Sequence, residues 1–339
     1  MSGREPLAAI FGVAGPVLTD AERGFFNDAD PLGFILFKRN CESPPQVRQL
    51  IIELRDSVGR GSAPVLIDQE GGHVARLGPP HWRSYPAARD IAALGGARAE
   101  EAARLGARLI ADDLVWLGIT VDCMPVLDVP APGSDPVIGD RAYGDSSTSV
   151  VQLGREVCDG LLEGGVLPVL KHIPGHGRAT VDSHLALPRV TADLATLELS
   201  DFLPFRALNW MPWAMTAHIL YTAIDENLPA TLSPRLIGEV IRGTIGFDGL
   251  LLSDDLSMGA LPGDLGARAA GALAAGCDVV LHCNGDGAEM MAVARSSRPL
   301  SAEAQRRVEA GDACRRESAV PFDRRRAEAR FAALLAGEG

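Results

Sequence analysis

Two short stretches hold most of the residues able to do chemistry. One is Leu251-Leu252-Ser253-Asp254-Asp255-Leu256-Ser257-Met258, an apolar run ending in a hydroxyl and two carboxylates. The other is Lys171-His172-Ile173-Pro174-Gly175-His176-Gly177, followed by Asp182-Ser183-His184. Ions resist leaving water, so a carboxylate at the end of a buried strand marks chemistry or binding. Asp254 at such a strand end is suited to attack an anomeric carbon, as retaining sugar hydrolysis requires. The competing reading makes Asp254 and Asp255 the start of a helix, capping its first turn, and it suits Asp255 better. Residues two apart in an extended segment point to one side, so Asp182 can bond an imidazole nitrogen of His184. That contact would orient the ring and favour its protonated form, giving a proton donor. A solvated loop in which the two never meet is the alternative for a lone D-x-H.

Other clusters fit a sugar. Lys171 and His172 can donate to hydroxyls or hold an anion, although a buried lysine can also snorkel to solvent. Asp68, in Asp68-Gln69-Glu70-Gly71-Gly72, can accept two hydroxyl hydrogens, and Arg76, eight residues on, can fold back beside it. Asp140-Arg141 offers a further clamp on a hydroxyl or carbonyl. Taken singly, each of these also suits a surface salt bridge. Gly175 and Gly177 make a loop able to approach a ligand or move as a lid. His172, His176, His184 and Asp182 invite a metal reading. However, no H-x-H ends the first strand and the ligands crowd into one loop, so neither metal nor cofactor is expected.

Apolar runs must position these groups. Strands are expected at 8–13, 33–37, 63–67, 119–122, 166–170, 213–216, 250–252 and 278–281. Helical periodicity fills 45–58, 97–117, 149–163, 201–208, 234–243 and 263–275, with further helices over about 287–335. Several strands are unbroken apolar runs, as a parallel sheet covered on both faces requires. Eight of them with helices between predict one (β/α)₈ barrel domain spanning 1–339, with a doubly wound open sheet as the runner-up. The polar groups favour the barrel, because they follow strand after strand: Lys38-Arg39-Asn40, Asp68, Asp122, Lys171-His172, His218, Asp254 and His282 with Asn284. A barrel gathers such groups at one face, whereas an open sheet uses its switch point.

The net charge of -12 argues against a nucleic-acid partner. No apolar run is long enough to span a bilayer, so no membrane partner is expected. Residues 7–15 are apolar but short and Gly-punctuated, and Glu5-Pro6 breaks a basic leader, which favours a first strand over a signal peptide. The six cysteines form no CxxC pair and fit buried free thiols in a reducing cytoplasm.

Taken together, Ile67-Asp68-Gln69-Glu70-Gly71-Gly72, Gly139-Asp140-Arg141, Lys171-His172-Ile173-Pro174-Gly175-His176-Gly177, Asp182-Ser183-His184, Thr216-Ala217-His218-Ile219 and Ser253-Asp254-Asp255-Leu256-Ser257-Met258 resemble the β-N-acetylglucosaminidases of glycoside hydrolase family 3. The pieces occur in the family's order and span most of the chain. The resemblance implies a barrel enzyme that removes non-reducing terminal β-linked N-acetylglucosamine. It makes Asp254 the nucleophile, His184 the acid/base and Asp182 its partner, and sets Asp68, Arg76, Arg141, Lys171 and His172 around the sugar. It further implies a cytoplasmic, monomeric enzyme of peptidoglycan recycling that acts on GlcNAc-β-1,4-anhydro-N-acetylmuramic acid or its muropeptides. His73 stands where relatives commonly have Arg, and Ile173 where Phe is more frequent. Other readings are a phosphorylase using phosphate in place of water, a metal-dependent barrel hydrolase, and a sugar-binding protein without turnover.

Overall fold

The computed structural model describes residues 5–338; Met1–Arg4, part of the leader weighed above, and Gly339 lie outside the described residues. Eight parallel strands close a barrel: β1 (Leu7–Gly12), β2 (Pro31–Leu36), β3 (Val65–Ile67), β4 (Val121–Asp122), β5 (Leu167–Ile173), β6 (Trp213–Thr216), β7 (Leu250–Asp255) and β8 (Val279–His282). Each strand pairs with its sequence neighbours, and β1 closes on β8 through Ile10 opposite Leu281 and Phe11 opposite His282. The unbroken apolar runs face the barrel interior on one side and the helical shell on the other. Phe11, Phe34 and Trp213 are accordingly almost fully buried. The open sheet is therefore excluded.

Besides two short helices at Ala88–Ala92 and Leu194–Leu199, the helices are α1 (Asp20–Ala29), α2 (Pro44–Ser57), α3 (Gly96–Leu117), α4 (Ser147–Glu163), α5 (Leu203–Ala207), α6 (Leu236–Thr244, wound as a π-helix), α7 (Leu265–Ala275), α8 (Gly287–Ser296), α9 (Ala302–Ser318) and α10 (Arg324–Ala336). α8 is the last barrel helix, so the tail adds two more. α10 packs on α3, where Phe331 lies against Gly106 so closely that a Cβ there would stand 3.2 Å from the ring. No helix among the described residues is long and apolar enough to cross a membrane.

Three expectations need correcting. α1 was not anticipated, although Thr19 and Glu22 form a reciprocal capping box, with Glu22 N donating to Thr19 Oγ1 at 3.2 Å and Thr19 N to the Glu22 carboxylate at 2.9 Å. The helix expected at 201–208 is only α5, because Asp201 turns inward to pair with Arg178 at 2.7 Å. Finally, β5 runs on through Lys171 and His172 to Ile173. Its charged residues looked like a strand end, but the loop after β4 supplies their ladder: Leu127 N donates to Lys171 O at 2.7 Å and Lys171 N to Pro125 O at 3.2 Å. The chemistry thus sits on a rigid strand.

Candidate active site

The C-terminal mouth of the barrel opens into a cavity of about 330 Å³. Asp68, Arg76, Arg141, Lys171, His172, Asp182, His184 and Asp254 all line it, with Phe37, Met215 and Met258 as apolar wall. All eight residues singled out from the sequence therefore converge.

Its floor is an ion network. The Lys171 ammonium lies 2.9 Å from Asp68 and 2.7 Å from Glu70 and is nearly sealed from solvent. It does not snorkel. Arg76 takes the other Asp68 oxygen at 3.0 Å. Arg141 grips Glu70 with two parallel bonds of 2.9 and 2.8 Å, the forked geometry that suits guanidinium and carboxylate. Burial would raise the Asp68 carboxyl, but Lys171 and Arg76 outweigh it and hold it well below the usual range. Burial opposes Glu70 likewise, yet Lys171 and Arg141 bring it to about 2. Burial would strip Lys171 of its proton, but the two carboxylates keep it charged. Glu70 is a part of the site that sequence reasoning did not single out; it stood inside the Asp68-Gln69-Glu70 cluster, but its partner Arg141 lies 71 residues away.

Behind the floor, Gln69 fixes the hairpin that carries Arg76. Its side-chain oxygen accepts from Arg76 N at 2.9 Å and Leu77 N at 3.0 Å, and its amide donates to Leu77 O at 3.0 Å. Gln69 N donates to Asp122, whose fully buried carboxyl is pushed up to about 8 by desolvation.

His172 is oriented by Asp128. Its Nδ1 lies 2.7 Å from the Asp128 carboxylate, which also accepts His172 N at 3.1 Å and His176 N at 2.6 Å. With Nδ1 engaged, Nε2 is the nitrogen left for the cavity. Burial raises the Asp128 carboxyl, but His172 and His176 hold it below its ordinary value. Asp128 was missed, although a lone carboxylate inside Val126-Leu127-Asp128-Val129 is the kind of residue that burial makes suspicious.

Asp254 projects from the end of β7 into the cavity. Burial works against its charge, but His218, His172, the Asp255 N–H and Lys171 prevail, so the carboxylate stays ionised. Asp255 has a different task. It accepts from Ser257 Oγ at 2.6 Å, Ser257 N at 3.1 Å and Cys283 N at 3.2 Å, pinning the turn after β7 to the loop after β8. It caps a turn, not the expected helix start.

Also lining the cavity, His184 Nδ1 stands 2.8 Å from Asp182, which also accepts His184 N at 2.8 Å. The pair forms, but not in the extended segment expected: residues 182–185 make a turn, closed by Leu185 N donating to Asp182 O at 3.0 Å, and the turn brings carboxylate and ring together. Burial raises the Asp182 carboxyl, but these two bonds bring it below its usual value. The loop carrying the pair is held at both ends. Ala131 N donates to Gly177 O at 2.9 Å, and a Cβ on Gly177 would collide with Val129 O at 2.0 Å. His176 Nε2 lies 3.1 Å from Ser183 Oγ, and Ala260 N donates to Ser183 O at 3.1 Å.

Of the other flagged groups, His218 and His282 lie outside the cavity, whereas His73 and Cys283 line its edge. His218 is buried, with its ring nitrogens 2.7 Å from Thr231 Oγ1 and 3.0 Å from Asp255 O. His282, the last residue of β8, is fully buried where the strand pairs with Phe11 of β1. His73 pairs with Asp140 at 3.1 Å on the rim, so Arg141 acts there without Asp140. Ile173 is fully buried in the barrel. All six cysteines are free; Cys41 and Cys314 are half-buried and not, as expected, fully enclosed. Among the described residues, no group of three or more His, Cys, Asp or Glu side chains could hold a metal ion.

The chain matches the family model described as the glycosyl hydrolase family 3 N terminal domain over residues 20–311. A beta-hexosaminidase of Alkalilimnicola ehrlichii is 40% identical over 282 residues, 81% of this chain and 80% of that protein. The beta-hexosaminidase of Pseudomonas aeruginosa is 36% identical over 84% of this chain and 85% of its own length. Among solved structures, NagZ from Neisseria gonorrhoeae in complex with N-trifluoroacetyl-D-glucosamine superposes with a TM-score of 0.87 at 30% identity, covering 98% of this chain and 99% of that one. A family 3 β-N-acetylglucosaminidase from Paenibacillus gives 0.80 at 33% identity, covering 97% of this chain and 61% of that longer enzyme.

Proposed function

The chain belongs to glycoside hydrolase family 3 and is a β-N-acetylglucosaminidase, and from that premise we propose that it cleaves GlcNAc-β-1,4-anhydro-N-acetylmuramic acid and its muropeptides by a retaining, two-step mechanism. One observation supports this most: Asp254 and the His184–Asp182 pair line one cavity whose floor is built to accept sugar hydroxyls. Asp68 has lone pairs left for two hydroxyls, and Lys171 and His172 can donate to others.

In this reading Asp254 attacks C1, forming an ester with the sugar while the C1–O bond breaks. His184, held by Asp182, gives its proton to the leaving oxygen. Neutral His184 then takes a proton from water, which attacks C1, frees Asp254 and leaves the anomeric configuration unchanged. Acid/base assistance of this kind is worth roughly 10²–10⁴-fold. The role is that of a cytoplasmic, monomeric enzyme of peptidoglycan recycling.

Incubating the purified protein with an aryl β-N-acetylglucosaminide and with the anhydro-disaccharide, with and without phosphate and with a chelator, tests the scheme. Turnover of both to free N-acetylglucosamine, indifferent to chelation, is the expected result. Glycosyl phosphate as the product would make the enzyme a phosphorylase. Chelator-sensitive turnover would revive the metal reading, and absence of turnover would leave only sugar binding.

A further inference from the structure

We propose that a groove beside the active-site mouth binds the aglycone through a carboxylate, with Lys38 as the residue that selects for it; this rests on the β-N-acetylglucosaminidase reading above. The active-site cavity is closed below by the Lys171 network, so whatever is linked to the terminal sugar must leave through the mouth. A second hollow of about 330 Å³ adjoins the mouth and shares His73 and Arg76 with the first. Lys38, Glu42, His81 and Trp82 complete the part used here.

The charges differ in what they have left to give. Arg76 is committed to Asp68 at 3.0 Å and His73 to Asp140 at 3.1 Å. Lys38 sits in the turn Lys38–Asn40 directly after β2, exposed, with no carboxylate in ion-pair range among the described residues. Glu42 is the carboxylate lining the groove, and it does not neutralise Lys38. A chain of net charge -12 repels an acidic ligand at long range, so an uncompensated ammonium at the exit is the local feature that would attract one. The half-buried Trp82, beside Pro79 and Pro80, supplies an apolar wall for a sugar ring or alkyl group. A sugar-linked carboxylic acid, such as a lactyl ether or a peptide, matches this lining.

The test compares GlcNAc-β-1,4-anhydro-N-acetylmuramic acid with its methyl ester, which keeps the leaving hydroxyl and removes the charge. Wild-type protein should prefer the acid in kcat/KM by roughly three- to tenfold at low salt, less as salt rises. Lys38→Glu should abolish or invert that preference, and Lys38→Ala should lose it, while kcat/KM on a neutral aryl N-acetylglucosaminide stays within about twofold. Equal rates on acid and ester by the wild type, with the aryl glycoside turned over, overturn the groove and leave the catalytic reading intact. A preference undiminished in Lys38→Glu also overturns it. No turnover of any N-acetylglucosaminide overturns both.

Discussion

The backbone carbonyl of His184 accepts a hydrogen bond from Gly259 N at 3.2 Å, so the loop that offers the imidazole is fastened to the loop that follows Asp254. The approach is close: a Cβ on Gly259 would lie 2.9 Å from the carbonyl oxygens of both His184 and Leu185. Neither is the end of a flexible side chain, so backbone must move.

Gly259→Ala should therefore displace His184 without touching Asp254. Misplacing a reacting group by about 1 Å can cost on the order of 100-fold. The loss should be near that size on the disaccharide, whose leaving group needs a proton, and several-fold smaller on an aryl glycoside with an acidic leaving group. Steady-state kinetics on the two substrates read the split; equal losses on both would count against acid catalysis by His184.

Removing the proposed nucleophile gives the opposite pattern. Asp254→Ala should lower kcat on every substrate by at least about a thousandfold, whatever the leaving group. His184→Ala should spare the activated aryl glycoside relative to the disaccharide. An Asp254→Ala protein that hydrolyses a chromogenic N-acetylglucosaminide normally would end the assignment.

Lys171→Met should destabilise the fold as well as the site. It leaves Asp68 and Glu70 buried without the cation they share, although Arg76 and Arg141 still hold one each. Removing one partner from a buried ion pair costs about 3–5 kcal/mol. Denaturant unfolding at neutral pH should register a loss of that order, and a change under about 1 kcal/mol would show that the network contributes little net stability.

His176 should lower stability as pH falls, in a window where Asp122, held at about 8, works in the opposite direction. His176 is held near 4 by burial and by the charge on His172 nearby, against an ordinary 6.5. The unfolded chain thus takes up a proton at this site that the folded chain refuses, and this group's contribution to stability falls as pH drops from about 6.5 toward 4. At 1.36 kcal/mol per pKa unit the full effect is on the order of 3 kcal/mol. His176→Gln should therefore gain stability relative to the wild type as pH falls from 6.5 to 4.5 in unfolding experiments. The remaining pH dependence should reflect His218, lowered by burial in the same sense, set against Asp122, raised in the opposite one. A pH dependence unchanged in His176→Gln would mean that this imidazole does not contribute to it.

Much of the protein was legible without coordinates wherever the deciding contact is local. Unbroken apolar runs demanded a sheet covered on both faces, and recurring polar groups at the strand ends demanded a barrel mouth. The bond between Asp182 and His184 spans two residues and Arg76 reaches back only eight to Asp68, distances at which chain geometry limits the outcomes. α1 was readable too, from the Thr19-x-x-Glu22 capping box, but went unnoticed. Tertiary structure alone decided the rest. Arg141 meets Glu70 across 71 positions and Asp128 meets His172 across 44, and no periodicity in one chain announces which buried charge will find which partner. Strand ends moved for the same reason: Lys171 counts as strand because a distant loop, Pro125 to Leu127, completes its hydrogen bonds. A residue's type constrains the chemistry it can do; its partner is set by the closure of the barrel, a property of the whole packed chain.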